Sequence, residues 1–221
     1  MSLIESIPFF KSKSPQIQQV VSESWSERRQ VLLEDANLFV WERILEQPVK
    51  HFLTDVIQHD PDPIVSKIEA ESVFQTIRTL RSGWDRLSTL DGDLFWQDVA
   101  LLITDFLKLT KRSTGTMHLR VIDDNGCAKF HTDGYPLRLF TTYVGEGTEW
   151  IPEEASNRMA LGTTNERIVK GQNKIHRLKE GHVGLLKGQK PNSSKLQQGI
   201  VHRSPPVLGA GEKRIILRVD I

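Results

Sequence analysis

Cysteine is nearly missing from this sequence: Cys127 stands alone among 221 residues. No intramolecular disulfide can form, and a reducing compartment suits the chain. Charge of one sign is missing too, since 29 lysines and arginines face 28 aspartates and glutamates for a net charge of +1. Without a global basic field, nucleic acid is not the expected partner, which leaves a small molecule or a protein as substrate. No apolar run approaches the ~20 residues that span a bilayer, and the N-terminus MSLIESIPFFKSKS lacks the apolar core of a secretory signal. The expectation is a cytoplasmic protein without membrane contact. What is present suffices for a sizeable core, with 38% hydrophobic residues over 221 positions.

The apolar residues change period half-way along. Four segments of the first half repeat at three- and four-residue steps and predict helices. The first carries Leu38, Trp41, Ile44 and Leu45, with Asp35 or Asn37 as cap and Pro48 as terminator. The second carries Val49, Phe52, Leu53, Val56 and Ile57 and closes at the breaker run HDPDP, residues 59–63. Val73, Phe74, Ile77 and Leu80 mark the third. Leu94, Phe95, Val99, Leu102, Ile103, Phe106 and Leu107 mark the fourth, after the turn Asp91-Gly92-Asp93, with Lys108, Lys111 and Arg112 where a helix C-terminus favours cations. From Ser113-Thr114-Gly115 the period is 2. MHLRVI (117–122), the turn DDNG with Asn125-Gly126, and CAKFHTD (127–133) predict a hairpin. Further strands are expected at 138–144, 174–178, 182–186, 199–202 and 214–221. Roughly eight short strands are the count of a jelly roll or cupin. The expected class is therefore α+β, a mainly helical region 1–112 packed on a β core 113–221 as one integrated unit.

In a strand, residues i and i+2 face the same side, so His131 and Asp133 of FHTDG project together. Alone, the pair reads equally as two polar residues at a strand end. The segment GIVHRSPP adds His202, and two histidines with one carboxylate form the open face that suits non-haem Fe(II). Cys127 shares the two-residue phase of His131 and Asp133, and with them would suit zinc. Extended chain, however, sets it about 13 Å from His131, which favours a small packed side chain. His118, His176 and His182 read as solvated strand residues.

The order MHLRVIDDNGCAKFHTD, RLFTTYVGEGTEW, EGHVGLLKGQ, GIVHRSPP, KRIILRVD resembles the metal-bearing core of the Fe(II)/2-oxoglutarate dioxygenases, which is a double-stranded β-helix. More closely, GEGTEW after RLFTTY, together with LLKG and HRSPP, resembles the bacterial family catalogued as domain of unknown function 1826. Its members tend to be encoded near zinc-handling GTPases, which implies a link to such a partner. The resemblance implies an Fe(II)- and 2-oxoglutarate-dependent oxygenase with His131, Asp133 and His202 on the metal. Arg214 lies 12 residues beyond His202 (214 − 202) and matches the arginine that receives the far carboxylate of 2-oxoglutarate, for which a planar guanidinium is suited. Arg218 falls on the same face and could share the task, and Tyr143 matches a position from which related enzymes offer a phenol to the co-substrate. Arg138 and Trp150 are the candidate substrate contacts. The irregular segment 151–173 is expected to form a lid. The alternative function is a non-catalytic, zinc-related metal-binding protein of cupin type.

Overall fold

A computed structural model describes residues 17–85, 89–124, 126–189, 198–206 and 212–221. Residues 1–16 and Asn125 of the expected turn lie outside the described residues.

In chain order the elements are β1 (Gln18–Ser22), a 3-10 segment (Trp25–Leu32), β2 (Ala36–Trp41), α1 (Gln47–His59), β3 (Ile64–Glu69), α2 (Val73–Leu80) and α3 (Leu90–Thr110). There follow β4 (Thr114–Ile122), β5 (Leu137–Val144), β6 (Glu149–Ile151), α4 (Asn165–Ile168), β7 (His176–Arg177), β8 (Val183–Lys187), β9 (Val201–Arg203) and β10 (Arg214–Asp220). Seven strands form one sheet in the order β1-β2-β8-β5-β10-β4-β3, and three form a second in the order β7-β6-β9. The fold is thus a mixed α/β arrangement around a large sheet.

The first 112 residues are less helical than their periodicity implies, because β1, β2 and β3 join the edges of the large sheet. The expected first helix is in fact β2. Its residues alternate between two buried environments, with Phe39 under the helices and Leu38 and Val40 between the sheets. Ile44, which completed the helical stripe, is 89% exposed. Pro48 does not end that segment but sits in the first turn of α1, where its missing N–H costs nothing. α1, α2 and α3 match the other three periodic segments. α3 starts earlier than expected, at Leu90, because the Thr89 hydroxyl accepts from Gly92 N at 3.1 Å, and Asp91 and Asp93 lie in its first turn, where the helix dipole favours them.

α1 and α3 cover one face of the large sheet. Phe52, Phe95, Val99, Ile103 and Phe106 pack against Leu119, Leu139, Leu185, Leu217 and Val219, each such side chain contributing about 1.5–3 kcal/mol on burial. The small sheet packs on the opposite, inner face through Trp150 and Ile200 against Leu38, Val40 and Leu186. The segment 151–173 lies on the far side of the small sheet. There Ala160, Ile168 and Val169 bury against Phe130, Ile151 and Val201, so its apolar residues make it a cover for that sheet's back rather than the expected lid.

The expected hairpin of 117–122 with 127–133 does not form. β4 pairs with β10 and β3, while 127–133 crosses to the small sheet. No helix among the described residues is long and apolar enough to cross a membrane.

Candidate functional site

The FHTDG segment is held by four separate clamps. His131 and His202 exchange main-chain hydrogen bonds, N to O at 2.9 Å each way, which attaches His131 to the edge of the small sheet. Phe130 buries its ring among Ile151, Ile168 and Val201. Asn165 accepts from Phe130 N at 2.9 Å and donates to Ala128 O at 3.1 Å. Asp133 O accepts from Gln189 N at 2.6 Å. Gly188 lies so close that a Cβ there would stand 1.9 Å from Tyr135 O and 2.6 Å from Asp133 O.

These clamps bring His131, Asp133 and His202 together with ligand atoms all within 4.8 Å of one another. His131 Nε2 stands 3.7 Å from Asp133 Oδ1, and His202 Nε2 stands 3.4 Å from Asp133 Oδ2. Donors about 2.1 Å from one ion, at 90–110° to each other, are about 3.0–3.4 Å apart, so the spacing fits a metal after a small contraction. Each histidine's Nδ1 is directed to a main-chain carbonyl, Lys129 O at 2.8 Å and Ile200 O at 3.2 Å. That places the proton on Nδ1 and leaves the Nε2 lone pairs for an ion. Burial lowers the pKa of His131, and the neighbouring His202 lowers it further. Burial would raise Asp133, but His202 first, then Arg138 and His131, outweigh it and hold the carboxyl down to about 2. At neutral pH His131 is therefore a neutral imidazole and Asp133 an ionised carboxylate, the forms that bind a cation.

Side chains on the inner face of the large sheet are fixed by strand register. Arg214, Ile216, Arg218 and Asp220 alternate inward along β10, opposite Ile122, Arg120, His118 and Thr116 of β4. On the other side Asp220 faces Arg138, Arg218 faces Phe140 and Ile216 faces Thr142. Arg138 bridges the two environments, with Nη1 2.6 Å from Asp133 Oδ2 and Nε 2.5 Å from Asp220 Oδ1. Tyr135, 44% exposed, lies against its guanidinium at 4.9 Å. Arg218 Nε stands 3.1 Å from Asp220 Oδ2. Arg214 is 4% exposed, and its guanidinium meets Asp124 O at 3.2 Å and Glu146 O at 3.4 Å. Among the described residues no carboxylate lies within ion-pair distance of it, and burial lowers its pKa. Trp150 pairs with His202 across β6 and β9 and stacks on His176 at 4.5 Å.

Tyr143 departs from the sequence expectation. Its ring is fully buried under the helices, 5.0 Å from that of Phe95, and its hydroxyl donates to Asp98 Oδ2 of α3 at 2.6 Å. Two-residue alternation puts it on the face opposite Arg138 and Thr142, away from the His131, Asp133 and His202 cluster. Cys127 is exposed and outside the ligand cluster. His118 and His182 are not solvated: His118 faces Asp220 Oδ2 at 3.5 Å, and His182 is buried. Sequence reasoning missed Asp220, Thr142, Arg120 and Gly188. The first three sit on the two-residue phase of Arg214 and Arg138, so the phase itself was the signal. For Gly188 the signal was the glycine of LLKG.

The architecture is similar to those of several solved proteins, oxygenases among them. The crystal structure of the dioxygenase for auxin oxidation in rice matches with a TM-score of 0.52 at 9% identity, over 92% of this chain and 82% of that one. A putative oxygenase from Shewanella oneidensis matches with a TM-score of 0.46 at 9% identity, over 93% and 89%. A full-length Neurospora crassa protein solved in complex with alpha-KG matches with a TM-score of 0.44 at 10% identity, over 95% and 85%. No curated protein matches the sequence. A family profile spans residues 23–220, and on that match the chain belongs to the family described as Protein of unknown function (DUF1826).

Proposed function

We propose that the protein is an Fe(II)- and 2-oxoglutarate-dependent oxygenase, with His131, Asp133 and His202 as the metal face of a double-stranded β-helix. The observation that carries this reading is the pairing of that face with Arg214, a buried guanidinium without a carboxylate partner among the described residues, on the inner face of the adjoining sheet. A buried unpaired cation costs several kcal/mol, and a dicarboxylate chelating the metal at one end would neutralise it at the other. The Thr142 hydroxyl, buried without a hydrogen-bond partner on the same face, can donate to that carboxylate. The fold shared with the rice dioxygenase supports the same assignment.

The chemistry a bound iron and 2-oxoglutarate supply is oxidation of a C–H bond by O2, with the co-substrate leaving as succinate and CO2. The protein's own residues prepare the site. The carbonyls of Lys129 and Ile200 fix the two imidazoles, and Arg138 holds Asp133 ionised and restricts its rotation. The side-chain exposures of 33% for His131, 10% for Asp133 and 7% for His202 leave the approach beside His131 as the open one.

The test is anaerobic titration of metal-free protein with Fe(II) and then 2-oxoglutarate, following the visible charge-transfer band of the chelate. A band in the wild type is expected. Arg214→Ala should weaken 2-oxoglutarate tenfold or more, the scale of a charge-assisted bidentate contact (about 1.5–3 kcal/mol). A folded, iron-loaded protein without the band refutes the oxygenase.

A further inference from the structure

The chain is nearly neutral, yet the inner face of β3, β4, β10 and β5 is not. Register places Lys67, Arg120, Arg138, Arg214 and Arg218 on it, against the carboxylates of Asp220 and Glu69. Arg138 satisfies both Asp220 and Asp133, and Arg214 belongs to the proposed co-substrate. The surplus is Arg120 and Arg218. The Nε atoms of both are buried without a hydrogen-bond acceptor, and Arg218 approaches Asp220 at an angle that makes an ion pair and no hydrogen bond. Between them on β4 sits His118, with Nδ1 3.5 Å from Arg120 Nη2. Beyond it the face opens to solvent over β3, where Lys67 and Val65 are exposed.

We infer that Arg120 and Arg218 bind a carboxylate or phosphate group of a small-molecule primary substrate, entering over β3 and placing the rest of that molecule against the His131 side of the metal face. The inference rests on the proposed oxygenase and adds the class of its substrate. Two guanidiniums with inward N–H groups are the arrangement that recognises an oxyanion, and leaving such donors buried and unmatched costs about 1–3 kcal/mol each. The exposed Lys67 and Val65 of β3 mark the side from which an anion reaches them. Arg218 stands four residues from Arg214 along β10, about 14 Å. The two cations therefore stand at different points along the strand, and co-substrate and substrate anions need not compete.

The experiment uses the full chain with Fe(II) and saturating 2-oxoglutarate under anaerobic conditions. Sodium sulfate, standing for phosphate, and sodium acetate, standing for carboxylate, are titrated against sodium chloride at equal ionic strength, reading the charge-transfer band and the melting temperature. Stabilisation by one oxyanion with the band retained is expected, and whichever salt acts names the group. Arg120→Gln should weaken that salt at least tenfold while 2-oxoglutarate still gives the band, Arg120→Lys should restore part of the effect, and Lys67→Gln on the exposed edge should weaken it two- to threefold. Bleaching of the band by the oxyanion would assign these arginines to the co-substrate and overturn the inference. So would an equal response to sulfate, acetate and chloride, or one unchanged in Arg120→Gln. If the band never forms but the oxyanion still stabilises metal-loaded protein through Arg120, the oxygenase fails and the anion site stands.

Discussion

Gly188→Ala places a methyl group where the main chain of the segment that carries Asp133 already lies. The new Cβ would sit 1.9 Å from Tyr135 O and 2.6 Å from Asp133 O. Real Cβ contacts essentially never fall under 3.0 Å, so the backbones must part by at least 1.1 Å (3.0 − 1.9). Retreat on the other side is obstructed, because Gly199 packs with its Cβ direction 2.6 Å from Gly188 C and 2.7 Å from Gln189 N. The movement therefore falls on residues 133–135 and strains the hydrogen bonds Gln189 N to Asp133 O (2.6 Å) and Gly188 N to Pro136 O (3.4 Å). Overpacking costs about 1–3 kcal/mol, and two weakened hydrogen bonds add about 1 kcal/mol, for about 2–4 kcal/mol in all. In a chain of this size that is roughly 4–16 °C in Tm. Metal ligands tolerate only about ±0.2 Å, so Fe(II) affinity should drop tenfold or more. Thermal melts with and without Fe(II), and metal analysis after dialysis, read both effects. Gly134→Ala is the control, since its Cβ meets nothing within 4 Å although it adjoins the same aspartate. Wild-type Fe(II) affinity in Gly188→Ala would refute the reasoning that this glycine sets the position of Asp133.

Tyr143→Phe removes the hydrogen bond to Asp98 and should cost about 1–3 kcal/mol in urea unfolding. It should leave the 2-oxoglutarate band unchanged, and a lost band would return the phenol to the co-substrate site. Arg138→Gln removes the hydrogen-bonded partner of Asp220, 4% exposed, while Arg218 stays 3.1 Å away, and should cost about 1.5–3 kcal/mol, read by the same unfolding curves. A smaller loss would show that Arg218 alone suffices for Asp220. Burial lowers the pKa of His118, His131 and His182, aided by Arg218 at His118 and by His202 at His131. Below the unfolded value of about 6.5 the unfolded chain thus binds more protons than the folded one, and stability should fall as the pH drops from 7 to 5. Melts across that range in His118→Gln and His182→Gln should show a shallower slope, and an unchanged slope in both would place the titration elsewhere. His51 shifts upward beside Asp91, the opposite sign, but it is fully exposed and screened.

The cluster of His131, Asp133 and His202 was legible because a metal site needs residue types that strands seldom bring together. A His and an Asp at i and i+2, with a second His before a strand-ending Pro-Pro, survive any uncertainty about local backbone. The route by which they meet was not legible. Residues 127–133 have the alternation of a strand and a turn before them, yet β4 pairs instead with β10 and β3. A local pattern cannot say which of several long strands wins a partner, and pairing of β4 with the seven residues of β10 buries more than a hairpin ending in the exposed Cys127 and Lys129. The misread helix at 38–45 has the same origin. ANLFVW is apolar at nearly every position because both of its faces are covered, and a fully covered strand has no period for a sequence to show.

Period 2 carried more than was drawn from it. In LRLFTTYV and RIILRVD, one phase (Leu137, Leu139, Tyr143; Ile215, Leu217, Val219) belongs to the helix-covered core, and the other (Arg138, Phe140, Thr142; Arg214, Arg218, Asp220) lines the space facing the small sheet. A single shift of phase would bury four charged groups under α3 and α1, at several kcal/mol apiece, so register is fixed by what cannot enter the core as firmly as by what does. The same rule removes Tyr143 from the co-substrate. It shares its phase with Leu139 and Leu137, and no rotation of its side chain carries the phenol through the sheet. A position on the right strand is therefore insufficient evidence for a role in the site. The phase must also agree, and among the arginines proposed for anions it does agree, for Arg120 on β4 as for Arg214 and Arg218 on β10.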